Sequence, residues 1–256
     1  MFGEFGELVG DWRKWIPPTE PPLPVQKGYW DGPTVYGSTV FAHLLPYLEQ
    51  ESLYQNAVAW SKQYTPGPDN APTWGDNNDV HRGVIIPSFV CPSDPSVARF
   101  PFGPGNYAAN FQIFSLGAAD PQQMQGTASL PKSIPDGMSN TILFAEKYVA
   151  CGHGWSSTGA NYADGGSYWA VGPYNGENMA IFAAAVTGSE SLFQTAPAPW
   201  DTACNNFLAQ TPHPGGMMVA MADGSVRSLS PSMSGATWWA ACTPNDGDAL
   251  GDDWGN

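Results

Sequence analysis

Basic side chains are scarce: 9 Lys and Arg face 23 Asp and Glu in 256 residues, a formal net charge of −14 at neutral pH. Such a surface repels phosphate backbones and anionic lipid headgroups, which excludes nucleic acid as a partner. No apolar run approaches the ~20 residues that a membrane-spanning helix needs, so no membrane span is expected in the chain as given. A charged start followed by an apolar core and a small-residue cleavage site is also missing, so a signal for export would have to lie outside these residues. The elbow G-x-S-x-G, the zinc motif H-E-x-x-H and the phosphate loop G-x-x-x-x-G-K-[ST] are absent. The expectation is a protein that is not an enzyme.

Cysteine is sparse and widely spaced. Cys91, Cys151, Cys204 and Cys242 form neither a CxxC redox pair nor a zinc knuckle. Their even number fits up to two disulfides, in any of three connectivities, in an oxidising compartment; four buried thiols are the alternative.

What is present is apolar and turn-rich. Hydrophobic residues make up 42% of the chain and aromatics 13%, enough to fill a sizeable core, while 29 Gly and 25 Pro favour short strands and many turns over long helices. Eleven tryptophans are first of all core or interface anchors; their second reading is a platform on which a polysaccharide stacks.

Phe2, Phe5, Leu8, Val9, Trp12 and Ile16 recur at the spacing of one helical face. Gly3, Gly6 and Gly10 weaken such a helix, so its apolar stripe needs a surface, either its own domain or a second copy of the chain. The prolines from Pro17 to Pro24 end it and form a stiff linker. Residues 1–34 are thus read as an amphipathic segment plus linker, and residues 35–256 as a globular head. A second helix is expected from Pro46 through Leu53 and Tyr54 toward Trp60, followed by a surface loop over residues 64–79. Strand-like stretches are Val84–Ile86, Phe89–Cys91, Thr141–Ala145 and Tyr168–Val171. The clearest local signal is Met217–Ala222, then Asp223-Gly224, then Ser225–Leu229: a β-hairpin with an expected type I′ turn. The fold class expected is α+β, a helical N-terminal side followed by a mainly antiparallel sheet with long Gly/Pro-rich loops.

Few residues suggest chemistry. Gly103-Pro104-Gly105 lacks the third glycine of a dinucleotide fingerprint. His153 near Ser156 reads as an ordinary loop histidine, as do His43 and His81. Asp246, Asp248, Asp252 and Asp253 gather oxygen ligands on a Gly-rich tail; the plain reading is a solvated acidic end, and the cation it would take is calcium.

Several segments together resemble one family, the prepilin-like proteins with a C-terminal H-X9-DG signature. His213 is followed by nine residues and then Asp223-Gly224, in HPGGMMVAMADGSVRSLS. Four further segments occur in that family's order: LLPYLEQESLY (44–54), FVCPSDP (89–95), NYAAN (106–110) and IPDGMSNTILFAE (134–146). The resemblance implies a type IV pilin-like or secretion pseudopilin-like protein at the cell surface or outside the cell, with an N-terminal helix and a β-rich head, assembling as a homo-oligomer or filament. Residues 1–34 carry a short, glycine-containing stretch in place of that plan's long apolar helix. Physically, His213 would fix the entry of the hairpin that Asp223-Gly224 turns; metal binding by His213 and nearby carboxylates is the second reading. The leading expectation is a structural or assembly protein of a filament, surface layer or secretion apparatus, and the alternative is an extracellular solute- or polysaccharide-binding module.

Overall fold

The computed structural model describes residues 39–63, 84–97, 103–116, 128–152, 166–169 and 180–255. The proposed self-association stripe from Phe2 to Ile16, the proline linker, the loop at 64–79, His81, His153 and Ser156 lie outside the described residues.

The architecture is α+β, as expected. Five strands form the main sheet in the order β3-β1-β2-β6-β7, where β1 is Tyr107–Asn110, β2 Ile142–Glu146, β3 Ile181–Phe182, β6 Met217–Met221 and β7 Val226–Leu229. Every pairing is antiparallel except the parallel β1–β3 edge. A second, two-stranded parallel ladder joins β4 (Gln194–Thr195) to β5 (Gln210–Thr211).

The sheet is covered on both faces, which follows from its side-chain alternation. Met217, Val219 and Met221 point to one face with Ala108 and Ala145. There α5 (Gly235–Cys242) lays down Trp238, Ala241 and Cys242, and Trp238 packs on Phe182 and Phe193 at ring-centroid distances of 5.5 and 5.1 Å. Ser234 starts this helix by accepting a hydrogen bond from the Thr237 N–H. The opposite face carries Ala109 and Phe144, and Phe144 meets Phe41 and Phe114, each at 5.6 Å.

On that second face the helical side is more broken than expected. α1 (Val40–Leu44) is capped by the Thr39 hydroxyl. Pro46 then sits in the first turn of a 3-10 helix, Leu45–Leu48, which ends where Glu49 turns left-handed (φ 61°). Only then does α2 run, over Glu51–Gln63. The proline was a correct start signal for the wrong helix. Two further single turns are α3 (Phe111–Phe114), directly after β1, and α4 (Trp200–Ala203), directly before Cys204.

Two expected strands are absent. Val84–Ile86 makes no ladder, and Phe89 closes a 3-10 helix (Pro87–Phe89) before Cys91. The apolar run there has the period of a 3-10 turn, about three residues: Ile86 and Phe89 are buried together, while Ile85 just before them is 61% exposed. Tyr168 contributes a single bridge, to Pro104, and Gly103 and Gly105 are small because both lie against Trp169. Thr141–Ala145 does become a strand, shifted by one residue to β2.

The hairpin forms where expected, with a different turn. Met221 N–H donates to the Ser225 carbonyl (2.8 Å) and Gly224 N–H to the Met221 carbonyl (3.0 Å). Gly224 alone in the turn has positive φ (85°). This is a three-residue loop, a type I turn closed by a left-handed glycine, and not the type I′ turn that needs two positive φ values. Asp223 supports it through its carboxylate, which accepts from Ser225 N–H (2.9 Å) and Oγ (2.6 Å). That bonding lowers its pKa below the usual carboxylate value.

Candidate functional site: a cysteine, a carboxylate and an imidazole

Three segments far apart in sequence meet at one end of β2. Glu146 is the last residue of that strand. Cys91 follows the Pro87–Phe89 turn, and His213 lies in the loop between β5 and β6.

Each is held by its backbone surroundings. Asn106 organises the cysteine loop: its N–H donates to the Phe89 carbonyl (2.7 Å), its Oδ1 accepts from Cys91 N–H (2.8 Å), and its Nδ2 donates to the Lys147 carbonyl (3.0 Å). The same Nδ2 donates to Asp94, a buried carboxylate that also accepts from Ser96 and Val149. His213 N–H donates to Thr211 Oγ1 (3.1 Å), and its carbonyl accepts from Gly216 N–H (3.3 Å), closing the His-Pro-Gly-Gly turn. Gly216 is required there, since a Cβ would stand 2.2 Å from the Leu229 carbonyl oxygen at φ 134°.

The side chains then converge. Glu146 Oε2 accepts from Met218 N–H (2.9 Å), which aims Oε1 at His213 Nε2, 3.4 Å away. Cys91 Sγ lies 3.7 Å from the same Nε2. The Glu146 side chain is 6% exposed and that of His213 is 42% exposed; Cys91 is buried. A nucleophilic Cys–His–carboxylate relay places thiol and carboxylate on opposite ring nitrogens. Here one nitrogen faces both partners, which is the geometry of a common centre.

The surroundings are electrostatically uneven. Burial raises the Tyr107 pKa, with smaller contributions from the Glu146 and Cys91 charges. Burial also pushes Tyr148 up to about 12, helped by Asp94. Lys147 is fully buried, its Nζ donates to the Ile181 carbonyl (2.7 Å), and desolvation lowers its pKa to about 7.

The other anticipated residues are placed elsewhere. Cys151 and Cys204 form a disulfide, with Cα atoms 5.2 Å apart. Cys91 and Cys242 are buried free thiols, so one bridge forms and not two. Asp253 accepts from Ser234 N–H (2.6 Å) and from the Thr237 hydroxyl, capping α5, and its pKa is lowered by these bonds. Asp248 and Asp252 line a shallow depression beside α5, and the Gly247 N–H next to Asp246 donates to the Asp136 carboxylate (3.2 Å). Among the described residues, three ligand atoms from His, Cys, Asp or Glu come within 4.8 Å of one another at Cys91, Glu146 and His213 and at no tail position.

Sequence reasoning singled out His213 and Cys91 separately and missed Glu146. The available signal was positional: Cys91, Asp94, Asn106, Glu146 and His213 each stand at a polar position inside one of the quoted segments.

The described residues thus form an α+β fold in which a buried cysteine, a buried carboxylate and a part-exposed imidazole converge. Residues 19–234 match the family described as "Protein of unknown function (DUF1559)", and the chain belongs to it. No curated protein and no solved structure matches the chain.

Proposed function

We propose that this protein is an exported, non-enzymatic structural or assembly component of an extracellular filament, surface layer or secretion apparatus, with a prepilin-like head. The observation that carries the reading is how the shared-order segments are used. Asn106 ties the FVCPSDP loop to β1 and β2, and Asn110 Nδ2 donates to the carbonyls of Ile142 (2.6 Å) and Cys242 (2.8 Å). The IPDG turn bonds the hairpin tip, with Asp223 N–H on the Met138 carbonyl and Ala222 N–H on that of Thr141. Residues so disposed hold one fixed shape, and a repeating assembly needs an identical surface in every copy.

Two further features support it. The Cys151–Cys204 disulfide suits an oxidising compartment, and the charge of −14 suits a soluble exterior. Among the described residues, Trp169 and Trp238 are fully buried core residues and so contribute nothing to a sugar platform.

Fractionation of the producing cells, followed by electron microscopy of the purified full chain, tests the proposal. Surface or secreted localisation together with polymers is the expected result, and removing residues 1–24 should leave a folded monomer. A cytoplasmic monomer in both forms would end it. A secreted monomer that binds glycans in calorimetry would establish the binding-module alternative instead.

A further inference from the structure

We propose that Cys91, Glu146 and His213 form a binding site for a thiophilic divalent cation of the zinc class, held by Sγ, Oε1 and Nε2 with a fourth position open to solvent.

The distances carry the argument. Zinc binds thiolate at ~2.3 Å and imidazole nitrogen or carboxylate oxygen at ~2.0–2.1 Å, with tetrahedral angles. Those bond lengths place sulfur and nitrogen ligands ~3.6 Å apart, and nitrogen and oxygen ligands ~3.3 Å apart. The observed separations are 3.7 Å for Sγ to Nε2 and 3.4 Å for Nε2 to Oε1. Two sides of the ligand triangle thus lie within about a tenth of an ångström of what a single ion requires. All three ligand atoms lie within 4.8 Å of one another, and an ion between them explains why one imidazole nitrogen confronts two partners at once.

The donor set selects the metal. A thiolate excludes the hard cations calcium and magnesium, which take oxygen ligands; sulfur, imidazole and carboxylate together suit zinc. Outer partners orient each ligand in the manner metal sites require: Met218 N–H holds Glu146 Oε2, and Asn106 fixes the Cys91 backbone. The exposed His213 edge leaves room for water, or a donor from another molecule, as fourth ligand. Bound there, the ion clamps the residue 91 loop, the end of β2 and the hairpin entry to one another. This inference is independent of the assembly reading.

The test uses the full chain, freed of metal by chelator and then of chelator, with the Cys151–Cys204 bridge kept intact. Calorimetric titration with zinc chloride should give about one ion per chain, and zinc should raise the Tm while chelator reverses it. Cobalt(II) should bind with a thiolate-to-metal charge-transfer band and the strong visible absorption of four-coordinate cobalt. Cys91→Ser and His213→Ala should each weaken zinc binding by more than the ~10–100-fold that outer partners carry. Where a variant fails to fold, the wild-type protein provides a second reading: zinc should protect Cys91, but not Cys242, from alkylation under conditions that expose both. The proposal is overturned by zinc binding that survives in Cys91→Ser, by cobalt binding without the charge-transfer band, or by no stoichiometric zinc uptake.

Discussion

The Asn106 carboxamide and the Asp94 carboxylate are locked together in the interior, Nδ2 to Oδ2 at 2.6 Å. Four donors meet this carboxylate: Ser96 N–H and Oγ on one oxygen, Asn106 Nδ2 and Val149 N–H on the other. Asp94→Asn must turn an amide N–H₂ toward at least one of them. A loss of about 2–3 kcal/mol is expected in urea unfolding. Asn106→Ala should cost a similar amount, and the double variant should cost clearly less than the sum. Additive losses would mean that the two residues act separately.

The two glycines of the hairpin should fail differently. Gly224 has positive φ, but no neighbouring atom lies within 4 Å of the place a Cβ would take, so Gly224→Ala costs only the left-handed backbone, about 1–2 kcal/mol. Gly224→Val costs more, because a branched side chain resists that region further. Gly216→Ala adds a collision with the Leu229 carbonyl and should lower the Tm further than Gly224→Ala. The reverse order in calorimetry would refute the turn assignment.

Thiol counting checks the disulfide. Denatured, unreduced protein should alkylate at Cys91 and Cys242 alone, and reduced protein at all four cysteines. The bridge closes a sequence separation of 53, for which chain entropy predicts stabilisation of about 4 kcal/mol. A Cys151→Ser/Cys204→Ser double variant as stable as the parent would contradict this.

Lys147 makes stability depend on pH. Its pKa is about 7 in the folded protein against ~10.4 when unfolded. Between these values the unfolded chain holds the extra proton, so stability rises as pH increases from about 7 toward 10. Below pH 7 both states are charged and the cost of burying the ammonium is fully present. Lys147→Met should remove this slope and stabilise the protein most below pH 7, by up to a few kcal/mol. Metal-free protein should be used, so that the neighbouring cluster does not contribute. A slope unchanged in the variant would assign it to other groups.

The parts of the fold legible in the sequence are those whose cause is local. Alternation on either side of Asp223-Gly224 revealed β6 and β7, although the turn type depends on backbone angles that residue identity leaves open. Proline at 46 announced a helix start, but the left-handed Glu49 that ends the 3-10 turn carries no sequence mark. Ile86 and Phe89 looked like strand residues because burial by a 3-10 turn and burial by a strand produce the same apolar run. The cysteine–carboxylate–imidazole cluster lay beyond reach for another reason. Its members are brought together by the β1–β2–β6 register and by Asn106, so apart from its place in the IPDGMSNTILFAE segment nothing distinguishes Glu146 from an ordinary strand-end carboxylate.

The order of the sheet also sets when the molecule becomes a folded object. β2 lies at its centre, and its partner β6 arrives late: Ile142 faces Met221, and Asn110 bonds the carbonyl of Cys242. Once residue 146 is made the chain can pair β1 with β2, but it cannot bury the face that α5 covers. Folding of this wiring is governed by long-range closure and is correspondingly slow. Until residue 242 is available, a ribosome or a translocation channel holds an open chain with unpaired strand edges. For the export proposed above that delay is useful, because a narrow pore passes only unfolded polypeptide.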